Sequence, residues 1–425
     1  MPQPRLEKPS PFAALRSRNY RLLWIGALIS MAGSMMRNAA LLWHVSLLAA
    51  PGEKALALGG IGLSRVIPIV ACSLIAGVAA DAFDRRRVLL LTNAVMLVIS
   101  GALALMTLLG VHHLWPVYLV SSLSAAAASF DNPARNAFFP SLVPREHLPN
   151  AISLNSILFQ TASVIGPVLA GAIISVSNVA WVYVVDAISF AFLVGSLLSM
   201  RDLPARSAGA RKLSMGPGAA LEGLRFVFGN PLIRSSMLLD FFATFFASAT
   251  ALLPIFAQDV LHVEAHGYGL LSSATAAGAV LCSLIMIPAV ERIERRGRTL
   301  LIAAVVYGLV TVAFGLSTNF WLSFACLFLA GSADMVSTVL RQIIRQFATP
   351  DEMRGRMTSV NMMFFMGGPQ LGELEAGLVA QAFGPLVSVV SGGIGCVLAV
   401  LVVAARTPAL VRYGRDSVAP PGKPA

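Results

Sequence analysis

The 425-residue chain is 57% hydrophobic and only 12% charged. A soluble domain carries about 25% charged residues, so a water-soluble globular fold is excluded and lipid is the expected solvent. The formal net charge of +11 would raise nucleic-acid binding in a soluble chain; here the basic residues sit in short segments between apolar runs, where they act as a topology signal.

The N-terminus carries Arg5, Lys8, Arg16, Arg18 and Arg21 ahead of an apolar run from Leu22 to Ala49. That run is longer than the apolar region of a cleavable signal peptide and reads as a first spanning helix that also targets the chain. A spanning helix needs about 20 mainly apolar residues. Twelve segments meet that requirement: 20–49, 56–80, 87–110, 114–139, 148–176, 180–200, 232–258, 267–290, 299–317, 319–347, 356–382 and 384–406. The fold class expected is therefore an all-α integral membrane protein. Basic residues fall on alternate loops: Arg85–Arg87, Arg145, the 201–234 group, Arg292–Arg298, Arg354 and Arg356, whereas the opposite loops carry only Lys54. By the positive-inside rule both termini are expected in the cytoplasm. The longest internal loop divides the chain into a first half, 1–200, a linker, 201–231, and a second half with its tail, 232–425. Within the linker, Leu221, Leu224, Val227 and Phe228 stand at helical spacing and suit a short amphipathic helix at the interface.

Ionisable residues at membrane depth are costly and are functional candidates by default. Arg37 and Arg65 are the Arg residues in the outer halves of spans; they call for acidic partners among Asp186, Glu373 and Glu375, or for an anionic substrate. Asp131 and Arg135 stand four apart on one helix face and can pair, either locking a gate or binding substrate or proton. Asp334, Arg341 and Arg345 form a similar stripe. Asp240 lies about one-third of the way into its span, where a proton or cation site is possible. Glu373 and Glu375 lie near mid-membrane with no basic residue close in sequence, and are the proton-coupling candidates; the alternative is a helix-packing hydrogen bond. Gly166, Pro167 and Gly171 allow close helix packing and a bend. Phe245 and Phe365, in the runs Phe241–Phe246 and Met362–Met366, are candidates for an adaptable cavity wall, with lipid-facing packing as the alternative. Cys72, Cys282, Cys326 and Cys396 all lie inside apolar runs with no paired spacing, so neither a disulfide nor a metal site is expected.

The sequence also repeats. Asp81, Asp84, Arg85 and Arg86 recur as Glu291, Glu294, Arg295 and Arg296, at a separation of 210 residues. At a separation of 206, Arg135 recurs as Arg341, Asn155 as Asn361, Gly166 as Gly372 and Gly171 as Gly377. An even number of spans per repeat makes the halves parallel, with a substrate path between them. Twelve spans in two six-span halves resemble the major facilitator superfamily. Gly77-x-x-x-Asp81 followed by Arg85-Arg86 resembles its loop signature, with Ala82 and Asp84 in place of a basic residue and a glycine. The string from Phe130 to Ala151 and the string Gly367 to Gly377 resemble the branch that holds the macrolide efflux pumps and the enterobactin exporter. The resemblance implies a twelve-helix major facilitator fold exporting a small organic molecule, drug-like or siderophore, across the inner membrane in exchange for protons. It needs no cofactor beyond the proton gradient and works as a monomer. It also implies that Asp81, Asp84, Arg85, Arg86, Asp131, Arg135, Glu291, Glu294, Arg295, Asp334 and Arg341 form a cytoplasmic gate. An importer or a receptor on the same fold is the alternative. An enzyme is not expected, for the chain lacks a metalloprotease helix, a nucleophile elbow and a phosphate-binding loop.

Overall fold

The computed structural model describes residues 12–201, 217–246, 249–350 and 353–415, the side chains of 73–82, 217–221, 249, 359 and 363 excepted. The expectations that rest on the side chains of Asp81 and Leu221, and on the first part of the linker, lie outside the described residues. The first six long helices are α1 (Arg18–Leu48), α2 (Lys54–Ala82), α3 (Arg85–Leu108), α4 (Leu114–Phe138), α5 (Leu148–Val176) and α6 (Val179–Leu198). The linker helix α7 (Pro217–Gly229) leads into α8 (Pro231–Phe246). Beyond residues 247–248 follow a 3-10 turn, Ala249–Leu252, the short α9 (Leu253–Ile255) and a π-helical turn, Phe256–Val260. Then follow α10 (Ala265–Ala289), α11 (Arg296–Leu316), α12 (Phe320–Ala348), α13 (Arg354–Phe383), α14 (Pro385–Arg406) and the short α15 (Pro408–Arg412).

Ten segments among the described residues are long and apolar enough to cross a membrane. Two further helices, α4 with 25 residues and α13 with 30, are long enough but fall short in hydropathy. They carry Asp131 and Arg135, and Glu373 and Glu375, respectively. Both pack on several neighbours, α4 on α2 and α3, α13 on α2, α8 and α14. Their open faces carry apolar side chains, Trp115, Leu119 and Leu123 on α4 and Leu378 and Phe383 on α13, while Asp131 and Glu373 turn toward neighbouring helices. The outer faces of the other helices present large apolar side chains, among them Leu91, Val98, Ile287 and Trp321, as a lipid-facing surface requires. Helix ends are set by local chemistry. The Asp84 carboxylate accepts from the Arg87 amide and starts α3, the Asn319 side chain accepts from the Trp321 and Leu322 amides and starts α12, and Gly384, at φ +93°, makes the turn between α13 and α14.

Packing divides the helices into two groups. Helices α1 to α6 pack among themselves, through α1 on α5 and α6, α3 on α4 and α6, and α2 on α4; α10, α11, α12 and α14 do likewise with α8 and α13. The groups meet along two seams, α2 on α13 and α5 on α10. At each seam two glycines let the backbones touch. A Cβ on Gly377 would stand 2.6 Å from the Gly59 Cα and 2.7 Å from the Ala55 carbonyl oxygen. A Cβ on Gly171 would stand 2.9 Å from the Gly269 Cα and 2.5 Å from the Ala265 oxygen. Ala55 and Gly59 recur as Ala265 and Gly269 at the 210-residue separation, and Gly171 recurs as Gly377 at 206, so one contact has been built twice.

The core follows the same division. Near Lys54 a single apolar cluster draws Met36, Trp43, Leu58 and Tyr183 from the first group and Phe256, Tyr268, Leu271 and Ala376 from the second. At the opposite end, where α1 starts and α14 finishes, the clusters are separate. One joins Tyr20, Leu89, Phe138, Leu154 and Leu197, another Leu239, Leu300, Leu340 and Val400, and a third joins the linker's Val227 to Met237 and Val360. Between described residues, the hydrogen bonds, ion pairs and ring contacts that join the two groups all lie in the Lys54 half of the molecule. They are Lys54 to Asp259 and Gln258, Gln258 to Ser46, Gln381 to the Gly52 carbonyl, Tyr268 to the Ala39 carbonyl and to the Trp43 ring, and Arg65 to Glu373.

Forcing a side chain into this seam costs about 1–3 kcal/mol. Gly377→Leu is therefore expected to raise the maleimide-labelling rate of a thiol introduced by Ala55→Cys, a buried position here, by about tenfold or more. An unchanged rate would show that the seam is not held at this glycine.

Candidate functional site

The buried charges fall into four clusters. The first lies wholly inside the first helix group. Arg37 of α1 pairs with Asp186 of α6 at 3.1 Å, and the Ser100 hydroxyl of α3 donates to the same carboxylate oxygen at 2.6 Å and accepts from the guanidinium at 3.0 Å. The guanidinium also stands over the Phe190 ring, 5.6 Å from its centroid. Gly33 makes the close approach of α1 to α6 possible, since a Cβ there would meet the Ser189 hydroxyl at 2.3 Å. Both charged side chains are sealed from solvent. Two turns further along α1, the His44 ring meets the Tyr183 hydroxyl at 3.1 Å.

The second cluster stands at the end of the first group remote from Lys54. Asp131 accepts from Thr92 at 2.9 Å and Asn93 at 2.7 Å, both on α3, and from Arg135 Nε and Nη2 at 2.8 and 2.6 Å on its own helix. Nearby, Arg85 donates to the Ala137 carbonyl and Arg86 to the Leu197 carbonyl at the C-terminal end of α6. A cation is favoured there by the helix dipole.

The third cluster is its counterpart in the second group. Arg341 Nη2 lies 2.9 Å from Asp240 and 3.3 Å from Asp334, and its other amino group donates to Ser337 at 2.7 Å. Arg345 meets the second Asp240 oxygen at 3.5 Å and donates to Asn361 of α13. Asp240 is thus held by two guanidinium groups. The Asp334 side chain is 44% exposed while Arg341 is 2% exposed, so the stripe has one wet and one dry end. Glu291, Glu294 and Arg295 are exposed, and their side chains do not meet Asp334 or Arg341 among the described residues. Asp131 with Arg135, and Asp334 with Arg341, therefore pair within their own helix group, and among the described residues no nominated gate residue reaches across.

The fourth cluster crosses the α2–α13 seam. Arg65 Nε donates to the Ser121 hydroxyl of α4 at 2.8 Å, and its Nη1 stands 3.9 Å from a Glu373 carboxylate oxygen. That separation is an ion pair without a hydrogen bond. Arg65 Nη2, Glu373 Oε2 and Gln370 Oε1 are buried, and none of them has a hydrogen-bond partner among the described residues. Glu375, two residues along α13, is half-buried and makes no ion pair among the described residues. Of the aromatic candidates, Phe245 stacks on Phe241 with centroids 5.6 Å apart, and Phe241 meets Phe364 edge-on at 5.9 Å, joining α8 to α13. Phe365 is 55% exposed. Gly166 lies against Met35 and Met36 of α1, and Pro167 presents its carbonyl to Gly269 across the α5–α10 seam. A cleft of about 540 Å³ opens near Lys54, lined by Trp43, Gln258, His262 and Glu264 among others; it contains none of the nominated residues.

The sequence-level search paired Arg37 and Arg65 with a set of three acids but could not assign them, and it missed Ser100, Ser121, Gln370 and Tyr268. Serines in apolar helices carry little signal, because most bond back to their own helix, as Ser153 and Ser196 do here. The Gly59–Gly377 contact was discoverable, since Gly59 recurs as Gly269 at the 210-residue separation.

Removing one partner of a buried ion pair leaves an uncompensated charge, at a cost of about 3–5 kcal/mol. Asp186→Leu is expected to lose that much stability in a detergent unfolding assay, and Arg37→Met/Asp186→Leu to recover most of it. A double variant as unstable as the single would show that the pair is not the source of the loss.

Comparison with known proteins bears on the whole chain. The family described as "Transmembrane secretion effector" matches residues 9–417. The enterobactin exporter EntS of Citrobacter koseri is 28% identical over 351 residues, 83% of each chain. EntS of Shigella boydii is 28% identical over 325 residues, 76% of this chain and 77% of its own. Among solved structures, a bacterial homologue of the human lysosomal transporter Spinster, inward-facing and unoccupied, aligns over 95% of this chain and 99% of its own, with TM-score 0.69 at 15% identity. A bacterial homologue of the iron transporter ferroportin, in an inward-facing state, aligns over 91% and 98%, with TM-score 0.69 at 15% identity. Those two likenesses establish the fold, and the family match extends over nearly the full length. This multi-pass membrane protein belongs to the transmembrane secretion effector family of the major facilitator superfamily.

Proposed function

We propose that the chain is a secondary transporter of the bacterial inner membrane that exports a small organic molecule, siderophore-like or drug-like, in exchange for protons. The observation that carries this reading is the one-sided junction of the two helix groups. Among the described residues they share a core in the Lys54 half, where the polar links named above also lie, and have separate cores at the other end. With the basic loops and both termini in the cytoplasm, the Lys54 end faces outward. The structure is then the state open to the cytoplasm, the state in which an exporter loads. The halves are residues 1–200 and 232–425, joined by the linker 201–231. The chain acts as a monomer that needs no cofactor, and all twelve long helices cross the bilayer.

In this reading the charged clusters at the cytoplasmic end hold each half rigid. They come to face one another when the inner side closes, which gives Asp84, Arg85, Arg86, Asp131, Arg135, Asp334 and Arg341 their part in the inner gate. The proton is carried by Glu373 or Glu375 rather than by Asp240, because both Asp240 oxygens already meet guanidinium groups. The identity to the enterobactin exporters supports export of a siderophore-like molecule.

The test uses proteoliposomes with the cytoplasmic face outward and an acidic lumen. Accumulation of a member of a siderophore and drug panel is expected. A potential of 100 mV contributes about 2.3 kcal/mol per proton, which limits accumulation from that source to about fiftyfold. No gradient-driven accumulation of any panel member would sink the exporter reading. Glu373→Gln or Glu375→Gln is expected to abolish gradient-driven accumulation. Full activity in both would remove these two residues as proton carriers.

A further inference from the structure

The two seams are alike in backbone but not in chemistry. At the α5–α10 seam the positions that recur as Gly59, Arg65 and Glu373 are Gly269, Thr275 and Pro167. That seam is small and uncharged. The α2–α13 seam instead holds Arg65 and Glu373, 3.9 Å apart, each side chain about one-seventh exposed. Three buried polar atoms there lack a protein partner among the described residues: one donor, Arg65 Nη2, and two acceptors, Glu373 Oε2 and Gln370 Oε1. Gln370 and Glu373 are three apart on α13, hence on one face, and both rest against Gly62 of α2. A Cβ at Gly62 would stand 2.4 Å from the Gln370 carbonyl oxygen and 2.8 Å from the Glu373 Cβ. Buried polar atoms without partners are rare, and a cluster of them signals a missing hydrogen-bonding group.

The chemistry of that group follows from the atoms. A carboxylate would satisfy Arg65 but stand against the Glu373 carboxylate. An ammonium would satisfy the two acceptors but stand against Arg65. A neutral hydroxyl both accepts and donates, so it fits between the ion pair without adding charge to a site that is already neutral overall. Resting on the exporter reading, we infer that the Arg65–Glu373–Gln370 cluster binds a hydroxyl group of the exported molecule, which accepts from Arg65 and donates to the Glu373 carboxylate. Protonation of Glu373 weakens binding of this kind, because a hydrogen bond to an ionised acceptor is about twice as strong as one to a neutral carboxyl group. A hydroxyl that donates to the carboxylate in turn lowers its affinity for a proton. Substrate and proton therefore oppose each other at this site, which couples their exchange. The other titratable groups around the pair are Arg37 on α1 and Tyr268 on α10, which act on Arg65, and Glu375 on α13 itself. Ser121 of α4 holds Arg65 Nε and leaves the rest of the guanidinium to the seam.

The test is calorimetric binding to the purified chain of 4-tert-butylcatechol, neutral in mildly acidic and neutral buffer, and of its dimethyl ether. The diol is expected to bind at least about tenfold more tightly, the value of a hydrogen bond to a charged group. Its Kd is expected to rise on acidification as Glu373 protonates, by up to about tenfold in all, the difference between a charged and a neutral acceptor. The ether should show no such slope. Glu373→Gln should remove the slope and most of the preference, and Arg65→Gln the preference. Equal Kd values for diol and ether in the unmodified chain would show that solvent alone fills the cluster and would overturn the inference, and it needs no variant to fold. A slope that persists in Glu373→Gln would overturn the competition. Gradient-driven export of other compounds alongside equal diol and ether binding would sink this inference and leave the exporter reading standing; a diol preference without gradient-driven transport would do the reverse.

Discussion

An ionised side chain withdrawn from water has to find its opposite charge nearby, because desolvation costs several kcal/mol per ion. This chain places such groups on nearly every inward-facing helix, and the way they pair decides what is rigid and what can separate. Arg37 with Asp186 ties α1 to α3 and α6, Asp131 with Arg135 ties α4 to α3, and Asp240 with Arg341 and Arg345 ties α8 to α12 and, through Asn361, to α13. These pairs have contacts of about 2.6–3.5 Å and further hydrogen bonds around them. Among the described residues, the ion pair that joins the two groups at membrane depth is Arg65 with Glu373, and its separation of 3.9 Å is the widest of these pairs. Tight pairs within groups and a loose pair between them make two stiff bodies with a separable junction.

The glycine contacts have the complementary property. Side-chain interdigitation resists separation, because many contacts must break together. Backbone contact at Gly59–Gly377 and Gly171–Gly269 brings helices close with little interlocking, so each seam can open or roll without repacking a core. The apolar cluster around Trp43 and Tyr268, with the Lys54–Asp259 pair on the π-helical turn, closes the gap between the seams.

Much of this was legible in the sequence. Composition and the apolar runs set most of the long helices to within a few residues, though α8 ends at Phe246 inside the run 232–258, and the 210- and 206-residue separations revealed the duplication. The family strings around Asp131 and Glu373 agree with the match to the secretion effector family. Side-chain partners were not legible. Arg37 and Arg65 each needed an acid, but choosing between Asp186 and Glu373 requires knowing that α1 packs on α6 while α2 packs on α13, and no sequence pattern gives that. The loop acids show a related limit. Asp84 and Glu294 recur in register, yet the Asp84 carboxylate caps α3 while no side chain caps the start of α11. Helices α4 and α13 give the weakest apolar signal of the twelve runs, because they carry Asp131, Arg135, Glu373 and Glu375.

The location of the shared core has a mechanical consequence. Helices of about 30 residues are about 45 Å long, and the glycine contacts stand near one end of them. A relative tilt of about 10° about those contacts would shift the backbone there by little more than a bond length. The same tilt would carry the far ends of α4, α5, α10 and α12 by several ångströms, about the width of an aromatic ring. Small changes in local geometry at the Arg65–Glu373 seam are therefore magnified along the helices, which work as levers whose fulcrum is the pair of glycine contacts.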